Sequence, residues 1–163
     1  MPNKIKIGIN GFGRIGRTLF RLLIDHPLIE VAVINDVADA PTLAHLLKYD
    51  SIHGKLSHDI FSGANNFTIN NREIPVTGHA HPKNINWDEH GVKIVVEASG
   101  KFKTSEDLEH HLSPGVERVI LSVPPQDDNI PMVVMGVNEH ILHKENKIIS
   151  NASCTTNNAA PML

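Results

Sequence analysis

The chain has 163 residues, 40% of them hydrophobic and 20% charged, with a formal net charge of -3 and a pI near 6.4. That length suits one domain with a real core, and that composition excludes a disordered or fibrous protein. The acidic balance argues against a grip on nucleic acid or an anionic membrane, and one cysteine cannot form an internal disulfide.

The opening, Met1-Pro2-Asn3-Lys4-Ile5, lacks the apolar run of a signal peptide, and no stretch is long and apolar enough to span a bilayer. A soluble cytoplasmic protein is the expectation. Residues 4–9 are rich in β-branched side chains and end at Asn10-Gly11, which predicts a buried strand. Ile15, Leu19, Leu22 and Leu23 then recur at helical spacing until Asp25-His26-Pro27 stops the helix. Residues 31–34 form the next strand, closed by Asn35-Asp36, so the first thirty-odd residues read as a βαβ unit.

A second helix is predicted over 41–49, with Leu43, Leu46 and Leu47 on one face. Phe67-Thr68-Ile69 and Glu73-Ile74-Pro75-Val76 flank Asn70-Asn71-Arg72 as an inserted hairpin, with Trp87 expected to pack between hairpin and sheet. A strand over 92–96 is followed by a helix over 105–112 whose N-cap character starts at Ser105. Further strands are expected over 118–122, 132–135 and 147–150. The pattern predicts an α/β fold, a doubly wound and mostly parallel open sheet with helices on both faces and an inserted β-hairpin. Ligands of such sheets sit beyond the carboxyl ends of the strands, where Asn10, Asp36, Gly100, Ser122 and Asn151 fall.

Gly11-Phe12-Gly13-Arg14-Ile15-Gly16 matches G-x-G-x-x-G between a predicted strand and a predicted helix, and Asp36 follows Gly16 by twenty residues. That context is the dinucleotide fingerprint of a Rossmann-like domain. Gly11 allows the tight turn, Gly13 lets the backbone approach a pyrophosphate, and Gly16 lets the helix pack near the strand. Asp36 accepts from the adenosine ribose hydroxyls and repels a 2′-phosphate, which favours NAD over NADP.

Cys154 lies in Ser150-Asn151-Ala152-Ser153-Cys154-Thr155-Thr156-Asn157, after a strand and ahead of Asn158-Ala159-Ala160, which can begin a helix. A thiol at a helix start favours the thiolate, the reactive form, and the neighbouring hydroxyls can hold a phosphate or carbonyl oxygen. A lone cysteine is also commonly a small buried residue. Spacing alone leaves both readings open.

Taken together, the run from Lys6 to Arg17 and the run from Ser150 to Asn157 resemble the phosphorylating glyceraldehyde-3-phosphate dehydrogenase family. Ala44-His45-Leu46-Leu47-Lys48-Tyr49-Asp50-Ser51 with His53-Gly54, and Val133-Val134-Met135-Gly136-Val137-Asn138, support the resemblance. It covers the family's cofactor half and implies an NAD-binding domain over 1–150, with 151–163 opening a truncated catalytic domain. It implies that Asn10, Gly11, Gly13, Arg14, Ile15, Asp36, Ser99 and Ser122 bind the cofactor. It also implies that Cys154 attacks the aldehyde and that Ser153 and Thr155 surround the substrate and the attacking phosphate. Glyceraldehyde 3-phosphate and inorganic phosphate are the implied substrates, and a homotetramer the implied full-length assembly. The family's activating histidine lies beyond Leu163, so negligible dehydrogenase activity is expected of this chain alone. His79-Ala80-His81-Pro82 replaces a Glu-Arg-Asp-Pro run, so the arginine that packs near the adenosine is absent. Ile34-Asn35-Asp36-Val37-Ala38-Asp39-Ala40 leans toward erythrose-4-phosphate dehydrogenase, which shares both motifs. A non-catalytic dinucleotide-binding module is the alternative of another class.

None of the histidine pairs His79/His81, His110/His111 and His140/His143 comes with the acidic or cysteine partners of a zinc motif, so no metal site is expected. Those histidines read as solvated helix and loop positions. Arg14, Arg17 and Arg21 form a basic helix face, too few for nucleic acid.

Overall fold

A computed structural model describes residues 4–163. Residues 1–3, which the sequence reading includes in the first domain, lie outside the described residues. The elements run β1 (Ile5–Asn10), α1 (Arg14–Leu23), β2 (Ile29–Asn35), α2 (Ala40–Lys48), β3 (Tyr49–Asp50), β4 (Gly54–Lys55) and β5 (Ile60–Ser62). They continue with β6 (Asn66–Ile69), β7 (Arg72–Thr77), β8 (Ile94–Glu97), α3 (Ser105–Glu109), β9 (Arg118–Leu121), β10 (Ile148–Ser150) and α4 (Cys154–Ala159).

Eight strands form one sheet in the order β10-β9-β8-β1-β2-β7-β6-β5. The six from β10 to β7 are parallel, while β7, β6 and β5 pair antiparallel. The expected hairpin therefore extends the main sheet through β7. Its turn is Asn70-Asn71 alone, both residues left-handed at φ 52 and 59, with Ile69 paired to Arg72. Two such residues in succession make the primed turn that matches strand twist, so Arg72 belongs to the strand.

One core face gathers Ile7, Ile9, Phe12, Phe20, Leu43 and Leu47 under α1 and α2, with Phe67 and Ile74 from the hairpin. The opposite face gathers Trp87, Val95, Leu108, Val119 and Leu121 under α3 and the short turns of 82–90. Helices thus cover both faces. Trp87 belongs to this second face and does not bridge hairpin and sheet.

Four other expectations need correction. Tyr49 leaves α2 and pairs with Lys55, while Arg21 Nη2 takes the terminal carbonyl of Leu47 at 2.6 Å. Thr104, and not Ser105, caps α3 by accepting from the Asp107 N–H at 3.2 Å, and the helix ends at Glu109 with Ser113-Pro114 ahead. Residues 132–135 contribute only one bridge, Met132 to Ser150. Pro131 offers β10 no N–H, and Val134 turns away because its own N–H donates to Asn138 Oδ1 at 2.7 Å. Finally, α4 starts at Cys154, four residues before the expected start, because Ser153 caps it.

Candidate functional site

The chain returns from the hairpin edge to place β8 beside β1, so the strand order reverses between them. Such a reversal opens a crevice at the carboxyl ends of the strands. An open cleft of about 160 Å³ lies there, lined by Asn10, Gly11, Gly13, Asp36, Ala80 and Ser99 among others.

The glycine turn is built for close approach. Gly11 has φ +90, and a Cβ there would stand 2.4 Å from the backbone N and Cα of Ser99. Gly13 caps α1 with no side chain, and a Cβ on it would meet nothing within 4 Å. A Cβ on Gly16 would strike the Gly11 carbonyl at 2.3 Å, so α1 starts close against β1. The first turn of α1 carries no acidic residue, which leaves its N–H groups to attract an anion. Between the two outer glycines the Phe12 ring is fully buried against Phe20 and Phe67, with centroids 5.6 and 6.0 Å away. Asp36 closes the turn. Its Oδ2 accepts from the Phe12 N–H at 2.6 Å and its Oδ1 from the Ala38 N–H at 2.9 Å. Each oxygen keeps a lone pair for a ribose hydroxyl.

These residues fit a dinucleotide, since the space a Gly13 side chain would fill is open and the turn is held rigid around it. Arg14, Ile15 and Ser122 lie at the same edge of the sheet but do not line the cleft. Of the basic helix face, Arg17 donates to the Phe12 carbonyl at 2.9 Å and Arg21 to the carbonyls at the end of α2. Both therefore hold backbone in place.

Beneath the cleft lies a polar network that the sequence reading did not find. Glu97 and His111 are each 0% exposed. Glu97 Oε2 accepts from Asn10 Nδ2 and from His111 Nε2, the latter at 2.9 Å, and Oε1 accepts from the Ser99 N–H at 2.8 Å and from the Ser99 hydroxyl. Trp87 Nε1–H donates to His111 Nδ1 at 3.1 Å. Asn35 donates to Asn10 Oδ1 at 2.8 Å and to the His79 carbonyl at 2.9 Å, and accepts from the Thr77 hydroxyl and the His79 N–H. His111 is thus a core residue, contrary to the solvated position expected of it.

Cys154 is exposed and occupies the first position of α4. Ser153 spends its hydroxyl as the cap, accepting from the Thr156 N–H at 2.9 Å and meeting the Thr156 hydroxyl at 2.8 Å. Ala152 before it is buried and left-handed at φ 55, an uncommon state for a residue with a Cβ. Asn157 Nδ2 ties the loop by donating to the Asn151 and Ser153 carbonyls at 2.7 and 3.0 Å. Cys154, Ser153 and Thr155 stand outside the cleft lining, beyond the far strand of the parallel set. Among the described residues, no three His, Cys, Asp or Glu side chains group as a metal site, and no helix is long and apolar enough to cross a membrane.

Residues 5–105 match the family model described as glyceraldehyde 3-phosphate dehydrogenase, NAD binding domain. The chain belongs to this family. Over 158 residues it is 50% identical to the glyceraldehyde-3-phosphate dehydrogenase of Geobacillus stearothermophilus, covering 96% of this chain and 47% of that protein. It is 49% identical over 160 residues to the cytosolic enzyme of Leishmania mexicana, covering 97% of this chain and 47% of that one. The Mycoplasma pneumoniae enzyme is 45% identical, with 98% and 47% covered. The chain spans about half the length of the curated relatives it matches.

The dehydrogenase family's NAD-binding domain is therefore the frame for the cleft, and NAD its cofactor. Within that frame the sequence signal pointed to the glycines and Asp36. It gave no sign of Glu97, His111 or Trp87, whose spacings of fourteen and twenty-four residues follow no local period.

Proposed function

We propose that the chain is the cofactor-binding half of a phosphorylating glyceraldehyde-3-phosphate dehydrogenase, with NAD held by residues 1–150 and the catalytic part opening at 151–163. The observation that carries this reading is an order. Along the carboxyl edge of neighbouring parallel strands stand Asp36 after β2, Gly11 to Gly13 after β1, Ser99 after β8, Ser122 after β9 and Cys154 after β10. Four interstrand spacings separate the ends of this row, about 19 Å. Ribose, pyrophosphate, nicotinamide side and nucleophile read off in that sequence.

Asp36 holds the adenosine ribose, and the backbone of Gly13, Arg14 and Ile15 meets the pyrophosphate at the start of α1. Asn10, Ser99 and Ser122 flank the nicotinamide side. The Cys154 sulfur attacks the aldehyde carbon of glyceraldehyde 3-phosphate to form a thiohemiacetal, with Ser153 and Thr155 beside the substrate and the phosphate. When bound, NAD supplies the hydride acceptor that takes this adduct to a thioester. An oxygen of inorganic phosphate then attacks the thioester carbon, and Cys154 departs as thiolate from 1,3-bisphosphoglycerate. The full-length protein is a cytoplasmic homotetramer in this reading. The isolated chain binds NAD and turns over negligibly, because no residue described here pairs with the thiol as a general base.

Titrating the chain with NAD and NADP in a calorimeter tests the cofactor half of this reading. Saturable NAD binding, at least about tenfold tighter than NADP, is expected from the Asp36 carboxylate. Absence of binding would overturn it. Iodoacetamide at pH 7 tests the other half, because a poised Cys154 reacts well above the rate of a free thiol and an inert one marks a non-catalytic module.

A further inference from the structure

We propose that His111 is a positioning residue for the cofactor cleft, which it does not itself line. It holds Glu97, and through Glu97 it sets Ser99 as a hydrogen-bond acceptor on the cleft wall. This rests on the reading that the cleft takes NAD.

An indole N–H only donates, so the His111 nitrogen facing Trp87 Nε1 at 3.1 Å carries no proton. The other nitrogen carries it and points at Glu97 Oε2, 2.9 Å away. Trp87 therefore selects the tautomer, whichever way round the ring is placed. That fixed N–H, with Asn10 Nδ2, satisfies Oε2 of Glu97 and leaves Oε1 for Ser99. With every partner at 0–3% exposure except Ser99, no water need take part.

The consequence reaches the ligand through Ser99. Its hydroxyl proton goes to Glu97, and one lone pair takes the Lys101 N–H at 3.1 Å. What Ser99 has left for the cleft is an acceptor, matched to a ligand N–H or O–H donor. Asn35 is saturated at both ends, so its own side chain offers a ligand nothing further. Removing the His111 N–H leaves Glu97 Oε2 with Asn10 as its one donor, so the carboxylate is no longer pinned from below and moves with the Ser99 it holds, which reshapes the wall at the nicotinamide side. The adenosine side, held by Asp36 and the glycine turn, stays as it was.

That split is the test. Calorimetric titration with NAD and with ADP is run on the wild-type chain and on His111→Leu, His111→Gln and Trp87→Phe. His111→Leu is expected to weaken NAD about tenfold, the mid-range for a residue acting through an intermediate contact, and ADP by less than about twofold. His111→Gln, whose amide can donate to Glu97 and accept from Trp87, is expected to return NAD affinity to within about threefold of wild type. Equal NAD affinity in His111→Leu and wild type overturns the proposal. So does an equal loss of NAD and ADP, which marks a merely structural role. Where His111→Leu gives no cooperative thermal transition, Trp87→Phe carries the same comparison. It removes the indole donor that fixes the His111 tautomer. The volume it also removes from the buried core lowers NAD and ADP affinity alike, so only the NAD-selective loss counts for the proposal. Wild-type chain that fails to bind NAD overturns the cofactor reading itself, whether or not it takes ADP, whereas NAD binding that His111→Leu leaves unchanged overturns the proposal alone.

Discussion

Alanine at Gly13 and alanine at Gly11 should do opposite things, although the two glycines stand two residues apart in one turn. At Gly13 the backbone is extended at φ -70, ψ -156, at the margin of the β region and with the negative φ that side chains adopt, and an added Cβ meets nothing within 4 Å. Losing the glycine cap costs well under about 1 kcal/mol, and the stiffer unfolded chain returns about as much, so stability should hardly move. The methyl group would, however, stand in the open space a pyrophosphate needs. Overpacking of about 2 kcal/mol corresponds to roughly thirtyfold weaker NAD binding. At Gly11 the φ of +90 costs a side chain about 1–2 kcal/mol. The Cβ meets backbone atoms of Ser99 at 2.4 Å, which cannot swing aside, and that overpacking adds about 1–3 kcal/mol. A total of about 2–5 kcal/mol lowers Tm by about 4–20 °C for a chain of this size. Differential scanning calorimetry and NAD titration on both variants read the contrast. Gly13→Ala that binds NAD like wild type would refute the placement of the pyrophosphate at this turn.

Asp36→Ala removes both the ribose acceptor and the partner of two backbone N–H groups. It should cost about 2 kcal/mol of stability by urea unfolding and narrow the preference for NAD over NADP, and an unchanged preference would detach Asp36 from the ribose. Acid should loosen the chain through three carboxylates that accept backbone N–H bonds. The N–H groups of His53, first, and Ile52 hold Asp50 down from 3.8 to about 2, that of Thr42 lowers Asp39, and that of Ser105 lowers Asp127. A depressed folded value means stability that is complete above the unfolded value and lost as pH falls through the folded one. Tm should therefore drop between about pH 4 and pH 2, less steeply in Asp50→Asn, and an identical profile in the variant would remove Asp50 from the account.

The sheet was legible because its information is local. Runs such as Ile5 to Ile9 and Ile94 to Val96 are too short and too β-branched to be helices, and the first ends at Asn10-Gly11. The cofactor turn was legible for the same reason, since its glycines and Asp36 keep a fixed spacing within one βαβ unit. Capping was read one position late at Thr104, where Thr104 and Ser105 are both competent caps and only the backbone conformation decides between them. The failures are contacts between distant segments. Arg21 looks like one more cation on an amphipathic helix until its reach to the end of α2 is seen. His111 looks like half of a surface pair with His110 until Trp87 and Glu97 close on it. Residues 132–135 are apolar enough for a strand, yet Pro131 before them and the Asn138 side chain after them leave only one rung.

The aromatic trio of Phe12, Phe20 and Phe67 bears on when a nascent chain becomes competent. Phe12 and Phe20 are made early, within the βαβ unit, while Phe67 comes fifty-five residues after Phe12. Until β6 has left the ribosome and folded back, the ring inside the glycine turn lacks one wall of its socket. Contacts of that separation form late, because the intervening loop must close before they repay its entropy. The fingerprint is thus complete in sequence well before it is complete in space. The hairpin at the sheet edge, far from the cofactor along the chain, is the event that closes that interval.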